Sequence, residues 1–327
     1  MAGPQWAIRT TRLTKRFGDL MAVDRVDLEI PAGTVVALLG PNGAGKTTVV
    51  RMLATLATPT SGTAAVFGRD IVREADAVRQ MISLTGQFAA LEPNLTAREN
   101  LTLMTRLRGH RRAPARRIVE RLIDRFDIAE FANTLVKSVS GGQRRRVDLA
   151  ASLVLEPRVL VLDEPTTGLD PRSRQVVWAT VRELVAHGVT VLLSTQYLEE
   201  ADELADQVLL LDHGRTMANG TPAQLKARIG DHRVDVVAVD EDGYRRLLDV
   251  LDDRFALTSS PGRRTISIPA PRQAVDLALV TETLAQSAIA VDEVALRRPT
   301  LDDTFLAMTG NRVADANLDG LAAEVPA

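Results

Sequence analysis

Gly40, Pro41, Asn42, Gly43, Ala44, Gly45, Lys46 and Thr47 follow the pattern G-x-x-x-x-G-K-[ST] between an apolar run, Val35 to Leu39, and a helical pattern from Thr47 to Ala57. The chemistry such a stretch offers is the capture of a polyphosphate. Glycines let backbone N–H groups crowd round an anion, and the helix start adds the positive end of its dipole. Lys46 reaches the terminal phosphates and Thr47 offers a hydroxyl to Mg2+, with Thr48 closing the candidate binding stretch. Further along, Val159 to Leu162 ends in Asp163-Glu164, so an apolar strand delivers two carboxylates to the end where α/β proteins bind ligands. Asp163 suits the metal, and Glu164 suits the general base that polarises an attacking water. Ser140-Gly141-Gly142-Gln143 opens a third helical pattern, Arg144 to Leu155, with serine where an N-cap belongs and glycines that leave N–H groups reachable. This is a second phosphate site. A chain with both features can use them on one nucleotide or lend the second to a partner's nucleotide; the residues fit either arrangement.

The elements that must hold these residues follow from hydrophobic pattern. Ile8 to Leu13 and Val26 to Ile30 alternate and read as strands joined through the Phe17-Gly18-Asp19 turn. Val35 to Leu39 reads as a buried strand leading through the glycine-rich turn into a helix, the order of a parallel α/β unit. Leu91 to Phe131 carries Leu and Arg at helical spacing, broken by Gly109 and Pro114, and predicts a helical insertion beside the sheet. From Val159 the order of strand, turn, helix, strand and helix resumes through Val189 to Leu193 and Glu199 to Leu204, and Thr221-Pro222 starts a further helix. Beyond Gly230, strand-like runs at Val234 to Val239 and Thr265 to Ile268 alternate with helices around Leu247 and Leu277, which predicts a small second domain. The expected organisation is an α/β domain over 1–230 with its helical subdomain at about 88–155, an accessory α/β domain over 231–310, and a mobile tail over 311–327.

Composition excludes several function classes. A chain of 327 residues, 45% hydrophobic and 25% charged, can bury a sizeable core. No apolar run reaches bilayer length, and Met1 to Trp6 lacks the pattern of a secretory leader, so the expectation is a protein that stays inside the cell. The absence of cysteine removes disulfides, thiolate metal sites and thiol nucleophiles. A net charge of -2 does not mark a nucleic-acid binder. The arginine clusters at Arg111, Arg112, Arg116, Arg117 and at Arg144 to Arg146 read as solvated helix faces.

In this order the phosphate loop, Ser140-Gly-Gly-Gln-Arg144 and Val161-Leu-Asp-Glu-Pro-Thr-Thr-Gly-Leu-Asp170 resemble the nucleotide-binding subunits of ABC transporters, from about Ile8 to Gly230. The resemblance implies a P-loop NTPase fold of ABC type, with a parallel sheet core, an antiparallel β subdomain and a helical subdomain. It also implies ATP and Mg2+ as ligands, a head-to-tail homodimer in which each Ser140 to Gln143 loop covers ATP on the other copy, and a separate membrane permease. By the same resemblance Gln87 senses Mg2+ and couples to the permease through the helical insertion, Phe17 stacks on the base, and Asp170 communicates across the dimer. The chain departs from the commonest family pattern at Gln196, where most members have the histidine that contacts the γ-phosphate. Glutamine donates a hydrogen bond but cannot become a cation, so slow but real hydrolysis is expected. Ser194-Thr-Gln-Tyr-Leu-Glu-Glu-Ala-Asp202 and Arg298-Pro-Thr-Leu-Asp-Asp-Thr-Phe-Leu-Ala-Met-Thr309 resemble, more narrowly, the daunorubicin and doxorubicin resistance exporters of actinobacteria, with Phe305 and Leu306 as expected anchors.

The function these readings converge on is an ATP hydrolase, peripheral at the cytoplasmic face of the membrane, that energises export of a drug or other amphipathic compound. The alternative is a non-transport ABC ATPase acting on nucleic acid or ribosomes. Those proteins ordinarily carry two ATPase units, long coiled coils or zinc-binding cysteines, and this sequence has none of them.

Overall fold

The computed structural model describes residues 6–86, 91–154, 156–227, 232–298 and 300–301. The chain divides into two compact units, one ending at Pro222 and the other beginning at Ala223. Gln87, Phe305, Leu306 and the expected tail over 311–327 lie outside the described residues.

In the first unit, β1 (Trp6–Phe17) and β2 (Leu20–Pro31) form a long antiparallel pair, and β3 (Val35–Leu39) leads into α1 (Lys46–Leu53). Then come β4 (Ser61–Val66), β5 (Arg69–Asp70), α2 (Ala75–Met81) and β6 (Ile82–Thr85). The helical insertion contains α3 (Ala97–Leu107), α4 (Arg112–Arg125) and α5 (Gly141–Ser152). The chain returns through β7 (Val159–Asp163), α6 (Pro171–Ala186), β8 (Thr190–Thr195), α7 (Leu198–Leu204), β9 (Gln207–Asp212) and β10 (Arg215–Gly220); α8 (Pro222–Ala227) starts at the last residue of this unit and otherwise belongs to the second.

Two sheets result. One is antiparallel, in the order β2-β1-β4-β5; the other runs β10-β9-β3-β8-β7-β6, parallel except where β10 pairs with β9. The parallel strands are covered on both faces, which is why they read as unbroken apolar runs. Their side chains still alternate. Leu160, Leu162, Val191 and Leu193 join the helices α3 to α6 in one core, while Val159, Val161, Leu192, Val36 and Leu38 join β1, β2 and α1 in the other. Polar chemistry can emerge only where such strands end, and β3, β7 and β8 end together.

The first helical pattern begins one residue earlier than expected, at Lys46, and the third begins at Gly141. Gly109, at φ 87°, follows the end of α3 as expected. Pro114 does not break the insertion: it occupies the first turn of α4, where a missing N–H removes no intrahelical bond. Among the arginine clusters, Arg111, Arg112, Arg116 and Arg117 are exposed. Arg145 corrects the expectation for the second cluster. It is buried, paired with Asp148 at 2.9 Å, and donates to the carbonyl of Gly86 at 3.1 Å.

The second unit contains β11 (Arg233–Ala238), α9 (Glu241–Asp252), β12 (Thr258–Ser260), β13 (Thr265–Pro269), α10 (Ala274–Ser287) and β14 (Val291–Arg297). Its antiparallel sheet, β12-β13-β11-β14, packs Val234, Val236, Ile266 and Ile268 against Leu247, Leu251 and Val280 of the helices. Asp235, nearly buried on the central strand, is held by Arg233, by Arg297 of β14 and by the hydroxyl of Ser267 on β13.

The insertion starts from a reciprocal cap. Thr96 Oγ1 accepts from Glu99 N at 3.2 Å and Glu99 Oε2 accepts from Thr96 N at 2.8 Å. That backbone bond, followed by the Thr96 hydroxyl, holds the Glu99 carboxyl below its ordinary pKa, so its stabilisation is present above the ordinary carboxylate range and lost as pH falls through the lowered value. Thr96→Ala is expected to lower Tm by about 2–4 °C at neutral pH. Thermal unfolding followed by circular dichroism should show this loss shrink once Glu99 is protonated.

Candidate active site

The loop from Gly40 to Gly45 is shaped by close approach. Gly45 has φ 100°, and a Cβ there would stand 2.5 Å from the carbonyl oxygen of Ala22. Only glycine fits, and its neighbour Lys46 begins α1 with a side chain that is 4% exposed. Lys46 Nζ donates to the carbonyls of Gly40 at 2.7 Å and Pro41 at 3.0 Å, so the loop folds round its own cation. Burial pulls the Lys46 pKa below the ordinary lysine value, while the charges of Glu164 and Asp163 push it back up. One ammonium beside two carboxylates leaves this end of the cleft net negative, so a polyphosphate bound here calls for an accompanying cation.

Asp163 ends β7 directly opposite Ser194 of β8. Its Oδ1 accepts from the Ser194 hydroxyl and, at 3.5 Å, from Thr47 Oγ1 at the start of α1. The next residue, Glu164, has φ 49°, a left-handed conformation that costs a non-glycine residue about 1–3 kcal/mol. Its N–H donates to the carbonyl of Ser194 at 2.9 Å, and its Oε2 accepts from Thr167 Oγ1 at 3.3 Å. The turn aims the Glu164 carboxylate into a cleft of about 360 Å3 shared with Asn42 to Thr48 and Phe17. Phe17 is half exposed at the far wall, with Lys15 Nζ 4.9 Å from its ring centre.

Ser140 caps α5 reciprocally with Gln143: Gln143 N donates to Ser140 Oγ at 3.2 Å and Ser140 N donates to Gln143 Oε1 at 2.9 Å. Gly142 packs so tightly that a Cβ would fall 2.3 Å from Ser173 Oγ. That hydroxyl donates to Asp170 Oδ2 at 2.6 Å, and Asp170 Oδ1 accepts from Ser173 N at 3.0 Å as the cap of α6. The Ser173 hydroxyl, then its N–H, hold the Asp170 carboxyl below its ordinary pKa. Ser140, Gly142, Gln143 and Asp170 line a second cleft, of about 640 Å3, that shares no residue with the first.

The sequence-predicted residues thus fall into two groups. Phe17, Asn42 to Thr48 and Glu164 line one cleft, with Asp163 behind it on Thr47; Gly40 and Pro41 face Lys46 with their carbonyls. Ser140, Gly142, Gln143 and Asp170 line the other. Gln196 is half-buried between β8 and α7 and lines neither. Sequence reasoning missed Leu20, Met21, Ala22 and His213, which complete the first cleft. It also missed Ser194 and Glu200. A buried serine in an apolar strand, opposite a strand-terminal carboxylate, is a signal that the pairing of β7 with β8 makes visible.

The model of the ABC transporter family matches residues 23–167, a span that contains the Gly40 loop, the Ser140 cap and the Asp163-Glu164 turn. The chain is 50% identical to the daunorubicin resistance ATP-binding protein DrrA3 of Streptomyces coeruleorubidus, over 95% of this chain and 98% of that protein. The chain belongs to the ABC transporter ATP-binding subunits. The ATP-binding subunit is also 38% identical to a Nod factor export ATP-binding protein I of Ralstonia nicotianae, over 93% of this chain and 94% of the relative. A dimeric, post-hydrolysis structure of an ATP-binding cassette bound to ADP and phosphate superposes with a TM-score of 0.59 at 25% identity, over 65% of this chain and 98% of that one. The protein is therefore a nucleotide-binding ATPase whose hydrolysis is coupled to transport. Among the described residues no helix is long and apolar enough to cross a membrane.

Behind the turn, Glu200 is 1% exposed and accepts from Trp178 Nε1 at 3.3 Å. Burial raises its pKa, only partly offset by hydrogen bonds from Thr195, Thr166 and Trp178 and by the charge of Arg145. A carboxyl raised in the folded state favours folding below its unfolded pKa and loses that contribution as pH rises through the folded value. Glu200→Gln keeps an acceptor and removes the ionisation. Its Tm relative to the parent is expected to climb as pH rises above the ordinary carboxylate range; a pH-independent difference by calorimetry would show that Glu200 ionises without cost.

Proposed function

We propose that this subunit exports an amphipathic compound through a separate permease, working as a head-to-tail homodimer with two ATP molecules at the interface. The observation that carries the dimer is the separation of the two anion-binding helix starts. The Gly45 loop and the Ser140 cap line different clefts of one chain, so a nucleotide held by both takes them from two copies. The dimeric ADP-bound relative supports this arrangement, and the relatives named for drug resistance and for export support the direction. Closure is favoured by ATP because only the closed pair supplies the second anion site, which is the differential affinity a conformational switch requires.

Within each site, the N–H groups from Asn42 to Thr48 and the Lys46 ammonium bind the phosphates, and Phe17 stacks on the base. The docking surface for the permease is the helical insertion, with Gln87 as its link to the nucleotide. Mg2+ fits the donors present. Thr47 Oγ1 and Asp163 Oδ1 are hard oxygen donors 3.5 Å apart at the phosphate end of the cleft. Among the described residues no group of three or more His, Cys, Asp or Glu forms a cage; the remaining ligands of the proposed ion would be substrate phosphates and water. Bound there, Mg2+ would neutralise charge on the phosphate oxygens.

Glu164, held by its strained backbone at the cleft, accepts the proton of the attacking water. Lys46 stabilises the negative charge on the transferred phosphoryl group. Asp170, fixed by Ser173 beside the Ser140 cap, faces the partner copy and reports its state. Gln196 contributes a neutral hydrogen bond where imidazole is commoner, so geometric positioning survives and cationic assistance does not.

The full chain carrying Glu164→Gln retains ATP without hydrolysing it and is expected to shift from monomer to dimer on size-exclusion chromatography with Mg-ATP. Adding Ser140→Phe should abolish the shift while ATP binding persists. A chain that binds ATP tightly and stays monomeric under all conditions would count against the shared site. In the assembled transporter, hydrolysis is expected to be slow yet at least about 10²-fold above the Glu164→Gln background. Gln196→Ala should lower it further without weakening ATP binding; equal rates for Gln196→Ala and the parent would remove Gln196 from the mechanism.

A further inference from the structure

Ser194 occupies an unusual place for a serine. It lies in β8 between Leu193 and Thr195, in a parallel sheet covered on both faces, and is completely buried. Val191, Leu192 and Leu193 of the same strand show what the sheet itself asks for at such positions. A hydroxyl sealed from water without an acceptor costs about 1–3 kcal/mol, and serine is a poorer strand former than the branched apolar residues. The fold alone therefore gives no reason for it.

Two of its hydrogen bonds supply the reason, because both end on the acidic turn. The hydroxyl donates to Asp163 Oδ1, and the main-chain carbonyl accepts from Glu164 N at 2.9 Å. The pairing is enforced by register, since Asp163 stands opposite Ser194 in the ladder between β7 and β8. The same carboxylate oxygen accepts from Thr47 at 3.5 Å. Asp163 is thus approached from α1 by a hydroxyl that can itself become a metal ligand, and from β8 by one that is buried away from the cleft. When Thr47 turns a lone pair to a cation, Ser194 is the partner that keeps Asp163 oriented.

We infer that Ser194 is a positioning residue for magnesium, fixing the Asp163 carboxylate through its hydroxyl while its carbonyl anchors the Glu164 turn. The inference rests on the reading of Asp163 as the magnesium carboxylate. Outer partners of metal ligands commonly affect metal affinity by about 10–100-fold, which sets the scale of the effect. The fold is little disturbed by Ser194→Ala, which removes one oxygen and leaves the carbonyl bond to Glu164 in place.

The test uses the full chain and a fluorescent, non-hydrolysable ATP analogue, with binding measured in EDTA and then across a Mg2+ titration. Ser194→Ala is expected to bind as the parent does in EDTA and to need about tenfold more Mg2+ for half of the Mg2+-dependent gain in affinity. Asp163→Asn is measured beside it. Loss of the Mg2+ response in Asp163→Asn with a parental response in Ser194→Ala overturns the role of Ser194 and leaves Asp163 in place. Parental responses in both variants overturn the reading of Asp163 and the inference with it. A loss of affinity in Ser194→Ala that is equal with and without Mg2+ makes Ser194 a structural residue only, and also overturns the proposal.

Discussion

Lys46 carries an ammonium group to a place where little water can solvate it, and the surrounding chain is arranged to meet that requirement. The carbonyls of Gly40 and Pro41 solvate it from the loop, and Glu164 and Asp163 balance its charge from β7. A buried cation held by main-chain oxygens is stable enough to fold around and still weakly enough satisfied to favour a phosphate. The glycine geometry at Gly45, the sharp turn after Asp163 and the central position of β3 between β8 and β9 all serve to bring these groups to one edge of one sheet. The sheet supplies rigidity because both of its faces are packed, and for the same reason it can be functional only at its rim.

The second helix start obeys the same electrostatics with a different support. Ser140 and Gln143 satisfy each other's main-chain and side-chain groups, while Gly142 lies against Ser173, which in turn fixes Asp170. A cap, a close packing contact and a carboxylate thus belong to one small assembly at the junction of α5 and α6. On the proposed dimer, Asp170 and the Ser140 cap would be joined through Ser173 by packing and hydrogen bonds, with no flexible linker between them.

Much of this was legible in the sequence where short-range chemistry dictates structure. The run from Val35 to Leu39 and the glycine loop gave β3 with its exact bounds, and Ser140 is the cap that its residue type and position indicated. Edge elements were harder to read, since β4, β5 and β10 owe their existence to pairing partners and carry little periodicity of their own. Pro114 shows a local rule with two outcomes, because proline ends a helix from inside but starts one from its first turn. Arg145 misled for a related reason: in sequence it is one of three consecutive arginines, and only the fold reveals that α5 turns that one inward to Asp148 and Gly86. Ser194 and Glu200 lie beyond sequence logic because their meaning depends on what stands on the neighbouring strand or helix.

The left-handed backbone at Glu164 has a bearing on how this protein would change over generations. Glycine and asparagine adopt that conformation with less strain than glutamate, so the position is held against its own conformational preference. On the proposed role of Glu164 as general base, turnover is what such a strained position would serve. A duplicated copy released from that role would gain stability through the same substitutions that silence it, drifting toward a nucleotide-binding subunit that still closes on ATP and no longer hydrolyses it. The φ angle at a single residue supplies the gradient for such a path.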